Sequence, residues 1–265
     1  MIPRLLLVLL VLPIGEARAG DVLAEAQALF YDGHYAEASA LAQTLSNDES
    51  MMGIYELRTA ALHFQIRAAL EAGGRNRSKA FNSCLPCREQ MEQFTRELNL
   101  GQALARATLK QHPRDETALY FLGKLDLNYV WLVLGTLGRK TGWNEFWEAR
   151  HSLDQLLADH PDHLRGRVAH AWIEYIVDTR MPWGTSWMLG GGNKRKALAT
   201  MNEAANADGE FYDRAEAMFG LWEMQVREGN ADAALVAARR LASQFPENRG
   251  VARFIDEHPA TRDGR

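Results

Sequence analysis

Residues 116–157 constrain the fold of this chain more than any other stretch. Both ends of the stretch carry apolar residues at helical spacing and predict the two helices of one hairpin. Between them lies an apolar insert, assigned to residues 127–142, which the rest of the chain does not repeat. Its central residues are apolar on all sides, so the insert must be buried all round, cover a ligand or contact a partner.

The N-terminus has the pattern of a cleavable export signal. Arg4 supplies a positive charge, an unbroken apolar run follows over residues 5–12, and Ala17-Arg18-Ala19 matches a small-residue cleavage site. A membrane anchor is the alternative, but a spanning helix needs about 20 apolar residues. We therefore expect residues 1–19 to be cleaved after Ala19, and a periplasmic or secreted mature chain without a membrane span.

Composition excludes some classes of partner. The formal net charge of −4 gives no reason to expect binding to nucleic acid or to an anionic membrane surface. The chain after the signal is long enough for one elongated domain or two small ones. No other segment is long and apolar enough to predict a membrane span.

The chain has two cysteines, Cys84 and Cys87, and an oxidising compartment favours a local disulfide between them. Their spacing also resembles a thioredoxin-type redox pair, with Pro86 before the second Cys. That chemistry needs a strand leading into the motif, whereas the preceding residues 71–83 are polar and predict a loop. We expect a structural staple that pins a loop over residues 71–90.

Short motifs recur along the chain in a fixed order. A turn that ends in Ala, with an acidic residue one or two positions before it, occurs at residues 33–38, 143–149 and 229–234. A Pro-containing link occurs at residues 111–115, 159–162 and 244–248. Small residues then align in each second helix: Gly101, Ala149, Ala197 and Ala234. These features resemble the tetratricopeptide (TPR) repeat, although the units are longer than the standard repeat of about 34 residues.

The resemblance implies an all-α fold, a right-handed array of about four to five antiparallel helical hairpins over residues 20–250. Two more irregular segments are expected, a Gly- and Trp-rich loop over residues 178–192 and a polar C-terminal tail over residues 251–265. In this family the first helices line a concave groove, which here implies an aromatic groove with polar groups from Tyr120, Lys124, Asn128, Trp172 and Tyr175.

The remaining candidate residues for binding a ligand or partner are aromatic or apolar. They lie in the insert and in the Gly-rich loop: Tyr129, Trp131, Leu134, Trp183 and Trp187. The sequence contains no catalytic or phosphate-binding motif. His160 and His163 fit a solvated loop, and Glu145 and Glu148 fit the start of a helix, where negative charge suits the helix dipole. We therefore expect no enzymatic activity, no cofactor and no metal.

Three functions remain open. The first is an exported TPR-like scaffold that binds a partner protein or peptide in its groove, as an accessory to an envelope or transport assembly. The second is a periplasmic carrier of a small apolar, lipid-like ligand held beneath the insert. The third is a thiol-disulfide protein that uses Cys84 and Cys87.

Overall fold

The computed structural model describes residues 19–45, 51–71, 77–180, 191–208 and 210–259. These residues form helices and no strand, so the predicted all-α class is confirmed. A π-helical turn, Trp131–Thr136, directly follows the sixth α-helix. The α-helices are α1 Ala19–Tyr31, α2 Tyr35–Gln43, α3 Met51–Glu71, α4 Arg77–Ser83, α5 Leu85–Gln111, α6 Glu116–Val130, α7 Trp143–Asp159, α8 Leu164–Arg180, α9 Lys194–Ala205, α10 Phe211–Arg227, α11 Ala231–Gln244 and α12 Arg249–Glu257.

Local sequence sets where several helices begin and end. Asp115 caps α6 by accepting a hydrogen bond from the backbone N of Ala118 at 2.7 Å. Asn193 and Asn248 cap α9 and α12 in the same way. Short polar side chains at this position satisfy backbone donors that the helix leaves unpaired. Helices α5, α7 and α11 each end two residues before a proline, because the residue preceding proline disfavours helical geometry.

Buried small residues let the helices approach closely. If Gly101 on α5 carried a Cβ, that atom would lie 2.8 Å from Leu125 Cδ1 and 2.9 Å from Tyr55 Cβ. A side chain at this position would therefore separate α5 from both α3 and α6. The aligned alanines of the later units are fully buried as well: Ala149, Ala197 and Ala234.

Five helices form a closed inner ring. Helix α1 contacts α3, α3 contacts α6, α6 contacts α8, α8 contacts α10, and α10 returns to contact α1. Helices α2, α5, α7 and α9 lie outside, and each packs on two successive ring helices. Helix α11 packs on α10 and on α12. The inner faces of the five ring helices therefore surround a common space.

The segment predicted as a loop over residues 71–90 is helical where the structure describes it. Residues 77–83 form α4, and α5 begins at Leu85. Pro86 suits the first turn of a helix, where its missing N–H would have no intrahelical acceptor. The predicted disulfide joins Cys84 to Cys87 at the start of α5, and Cys87 is fully buried. The staple therefore fixes the start of a helix rather than a loop.

Two other segments also differ from their predicted conformation. Helix α8 continues to Arg180, so the first residues of the predicted 178–192 loop are helical, and residues 181–190 lie outside the described residues. The start of the predicted polar tail is part of α12. Val251 is fully buried there and Phe254 packs on Trp222, so a few apolar contacts stabilise a helix in a mostly polar segment.

The apolar insert is mainly part of the core. Leu132, Val133 and Leu137 are almost completely buried. Leu132 and Leu137 pack in a cluster with α3, α4 and α5, while Leu134 packs against the cluster formed by α6, α7 and α8. The insert is apolar on all sides because helices contact it on opposite sides.

Candidate functional site

The ring closes through contacts between the α1–α2 turn and the α11–α12 link. Asn248 Nδ2 donates to the carbonyl oxygen of Tyr31 at 2.7 Å, and the Glu247 backbone N donates to Asp32 Oδ1 at 3.3 Å. His34 Nε2 lies 2.8 Å from Glu247 Oε2. The Tyr31 ring also stacks on Phe219 of α10, with ring centroids 5.4 Å apart. Polar and aromatic contacts together thus hold the ends of the ring.

We expect Asn248→Ala to weaken this closure. The substitution removes the α12 cap and the bond to Tyr31 from a side chain that is almost fully buried. The expected cost is about 1–3 kcal/mol of unfolding free energy. Hydrogen exchange should rise in residues 31–35 and 245–252. The matched control is Asn230→Ala, because Asn230 begins α11 without a side-chain cap; equal exchange in both variants would contradict the closure.

The space inside the ring is a cavity of about 1150 Å³. Its walls come from one stripe of each inner helix, and α12 contributes to its rim. Along these stripes the side chains form three layers, each about one helical turn from the next. The charged layer consists of Glu56, Lys124, Arg165 and Glu216; the middle layer of Ala60, Leu127, Ala169, Phe219 and Gly220; and the aromatic layer of Phe64, Trp131 and Trp172, with Glu223 of α10 at the same level. Trp222 lines the cavity beside this stripe, where it packs on Phe254 of α12.

Lys124 is the centre of the charged layer. Its Nζ hydrogen-bonds to Glu216 and lies 3.8 Å from Glu56 Oε1. Burial lowers the pKa of Lys124, but the carboxylates of Glu216 and Glu56 outweigh burial and raise it. Asn128 Nδ2 donates to Thr59 Oγ1 at 3.0 Å and to the Glu56 carbonyl oxygen at 3.2 Å. Lys124 is therefore charged and held between two helices.

Arg165 is held differently. Its guanidinium lies over the Tyr120 ring, 4.6 Å from the centroid, and its Nε lies 3.4 Å from Asp213 Oδ1. Among the described residues the guanidinium makes no hydrogen bond, and 22% of the side chain remains accessible. The hydroxyl of Tyr120 is buried without a hydrogen-bond partner there as well. Arg165 is thus a positioned cation whose donors are available on the cavity wall.

The aromatic layer lies about two helical turns from the charged layer. Trp131 meets Trp172 edge to face, with ring centroids 5.1 Å apart, and Arg227 lies 5.7 Å from the Trp131 centroid. At the rim, Arg67 Nη1 lies 3.9 Å from Glu223 Oε1 and joins α3 to α10 across the cavity. One end of the cavity is therefore lined by charged side chains, and the other end by aromatic rings with the charged rim residues Arg67, Glu223 and Arg227.

His63 lies buried at the aromatic end of the cavity. Its Nε2 lies 2.8 Å from Thr136 Oγ1 in the π-helical turn. Burial, with the charge of Arg67, lowers the pKa of His63 to about 3. The ring is therefore neutral at physiological pH and contributes a hydrogen bond rather than a charge.

The structure brings together some of the residues that the sequence proposed and separates others. Lys124, Asn128, Trp131 and Trp172 line the cavity. Of the other candidate residues, four pack in the hydrophobic core away from the cavity or behind its wall, and two lie outside the described residues. The packed residues are Tyr120, Tyr129, Leu134 and Tyr175; those outside are Trp183 and Trp187.

Sequence reasoning missed Glu56, Arg165 and Glu216. Charged residues on helices usually face solvent, so nothing in their own identity marks them as internal. The available signal was helical spacing: Arg165 shares a face with Ala169 and Trp172, at intervals of four and three residues.

Within the described ranges, no three His, Cys, Asp or Glu side chains come together as a metal site. No helix among those residues is long and apolar enough to cross a membrane.

No protein-family model, curated protein or solved structure matches this chain.

Proposed function

We propose that this chain is an exported, non-enzymatic TPR-like protein that encloses one small amphipathic ligand within its helical ring. The observation that carries the proposal is the cavity of about 1150 Å³, with Lys124 and Arg165 at one end and aromatic rings under a charged rim at the other. Ligand pockets usually measure about 300–1,000 Å³ and combine apolar walls with a few polar groups. Of the functions open from sequence, the carrier fits this cavity best.

The TPR-like arrangement has its own support. Helices adjacent in sequence pack together, and the small residues aligned by the repeat register are all buried in second helices. The export signal over residues 1–19 supports a periplasmic or secreted location. An accessory role in an envelope or transport assembly remains a prediction.

Ring closure favours a small ligand over an extended partner in the groove. The first helices turn their inner faces towards each other, and α10 contacts α1. A partner protein remains a second candidate at the outer surface, where Leu85 and Leu100 on α5 are 57% and 48% exposed. Single exposed apolar residues are common on monomers and give this candidate less support. The thiol-disulfide function of Cys84 and Cys87 stays a prediction.

Filling the cavity tests the carrier function. Ala60 lines the middle layer and is 8% exposed, so Ala60→Trp places a large side chain in the space for ligand. We expect the affinity for N-phenyl-1-naphthylamine, a neutral apolar fluorophore, to fall at least about tenfold, or ~1.4 kcal/mol. Fluorescence titration of the full chain after signal cleavage measures this affinity.

The matched control is Ala233→Trp, because Ala233 is exposed on α11, outside the ring. This variant should bind the fluorophore like the unsubstituted protein, and both variants should keep their helical circular dichroism. Equal binding by folded Ala60→Trp and Ala233→Trp would place the fluorophore outside the cavity and would reject the carrier function.

A further inference from the structure

We infer that the ligand is a carboxylate with an apolar tail, and that Arg165 binds its head group. This inference rests on the proposed function and concerns the same cavity. It assigns a chemical class to the ligand and an orientation within the ring. The head group would lie in the charged layer and the tail would extend to the aromatic layer.

The first support is the state of Arg165. Its guanidinium hydrogen-bonds to no described residue, although it lines a cavity and is fixed over the rings of Tyr120 and Phe121, 4.6 Å and 5.8 Å from their centroids. Leaving guanidinium donors unmet costs free energy when the cation is removed from bulk water. A planar carboxylate can accept two parallel hydrogen bonds from one guanidinium, which suits this group better than a point charge.

The second support is the pairing within the charged layer. Glu216 accepts a hydrogen bond from Lys124, and Glu56 lies 3.8 Å from the same ammonium. These two carboxylates share Lys124 as their cation, and neither forms an ion pair with Arg165. Asp213 lies on the Nε side of Arg165, 3.4 Å away, and pairs with that edge of the guanidinium. The other edge of the guanidinium has no ion-pair partner among the described residues, and Arg165 lines the cavity.

The third support is the order of side chains along α8. Arg165, Ala169 and Trp172 share one stripe, and all three line the cavity. At 1.5 Å per residue, Trp172 lies about 10 Å along the helix from Arg165. The middle layer between them is apolar: Ala60 and Ala169 are small, and Phe219 of α10 stacks on Tyr31. A medium-length apolar tail fits this path from a head group at Arg165 to the Trp131–Trp172 pair.

Calorimetric titration with decanoate, decanol, decylamine and decyl phosphate tests the inference. The four probes share one tail and differ in head group. We expect the full chain after signal cleavage to bind decanoate at least about tenfold more tightly than decanol. Arg165→Gln should lose at least about tenfold in decanoate affinity and leave decanol unchanged, and Arg165→Lys should recover only part of the loss.

Arg239→Gln is the control, because Arg239 is exposed on α11, outside the ring. It should bind decanoate normally. Tighter binding of decylamine or decyl phosphate than of decanoate, or normal decanoate binding by Arg165→Gln, would overturn the inference. If Arg165→Gln does not fold, Arg165→Lys decides: full decanoate affinity in that variant overturns the bidentate contact.

The two levels of proposal fail in different ways. If the unsubstituted protein binds N-phenyl-1-naphthylamine inside the cavity but shows no preference for decanoate, only the carboxylate assignment is rejected. If the unsubstituted protein binds neither the fluorophore nor any of the four probes, both the carrier function and the carboxylate assignment are rejected.

Discussion

Asp126→Asn should make the protein more stable at alkaline pH and flatten the dependence of its stability on pH. Asp126 is fully buried on α6. Gln102 Nε2 donates to its Oδ1 at 2.5 Å, and the Asp126 side chain also hydrogen-bonds to Glu148. Burial, reinforced by the negative charge of Glu148, raises the pKa of Asp126 to about 9. The folded protein therefore holds this carboxyl neutral.

The sign of the effect follows from proton linkage. The unfolded chain releases this proton near pH 4, whereas the folded chain keeps it to about pH 9. Between these values the folded state binds more protons, so stability falls as pH rises, by up to ~1.4 kcal/mol per pH unit from this group. The neutral amide of Asn has the same shape and removes that contribution.

Urea unfolding at pH 5, 6, 7 and 8 measures the difference. The gain in unfolding free energy of Asp126→Asn over the unsubstituted protein should grow with pH and reach at least about 2 kcal/mol at pH 8. Asp162→Asn is the control, since Asp162 is exposed in the link before α8. A gain that stays constant from pH 5 to pH 8 would show that Asp126 is ionised in the folded protein.

Arg58→Leu should destabilise the fold strongly. Arg58 lies on α3 with 3% of its side chain exposed, and its Nη2 donates to Glu97 Oε1 of α5 at 2.8 Å. Its Nη1 also donates to the Ser39 carbonyl oxygen of α2 at 3.4 Å. Removing the cation leaves a buried carboxylate unpaired, which typically costs about 3–5 kcal/mol. Guanidinium unfolding would measure the loss.

The double variant Arg58→Leu/Glu97→Leu separates the ion pair from packing. Since replacing both partners removes the unpaired charge, the double variant should recover much of the stability that the single variant loses. Arg114→Leu is the surface control: Arg114 pairs with Asp159 at 3.2 Å but is 76% exposed, so a change within about 1 kcal/mol is expected. A double variant no more stable than Arg58→Leu would contradict the explanation.

Local signals made much of the helical frame predictable. Pro113 and Pro161 mark links that the structure places between helices, and Gly101 and Ala149 mark close approaches between them. The loop prediction was wrong for residues 77–83 and 85–90, because it rested on the polar composition of the segment, and polar residues suit an exposed helix as well as a loop. Local sequence alone did not distinguish the two.

The candidate site was only partly predictable, for a different reason. Trp131 and Trp172 could be proposed because large aromatic residues stand out at helical spacing. Ring closure depends on contacts such as Asn248 with Tyr31, 217 residues apart in sequence, which no local pattern reports. Without the closed ring, Arg165 and Glu216 look like ordinary surface charges.

The central claim is that the ring encloses an amphipathic carboxylate with its head group at Arg165. The most direct measurement is a crystal structure grown with 10-bromodecanoate, because anomalous scattering locates the bromine at the end of the tail. We predict one bromine peak inside the cavity beside Trp131 and Trp172, with the carboxylate within hydrogen-bond distance of the Arg165 guanidinium. A bromine peak only on the outer surface, or a tail in the reverse orientation with its bromine beside Arg165, would contradict the claim.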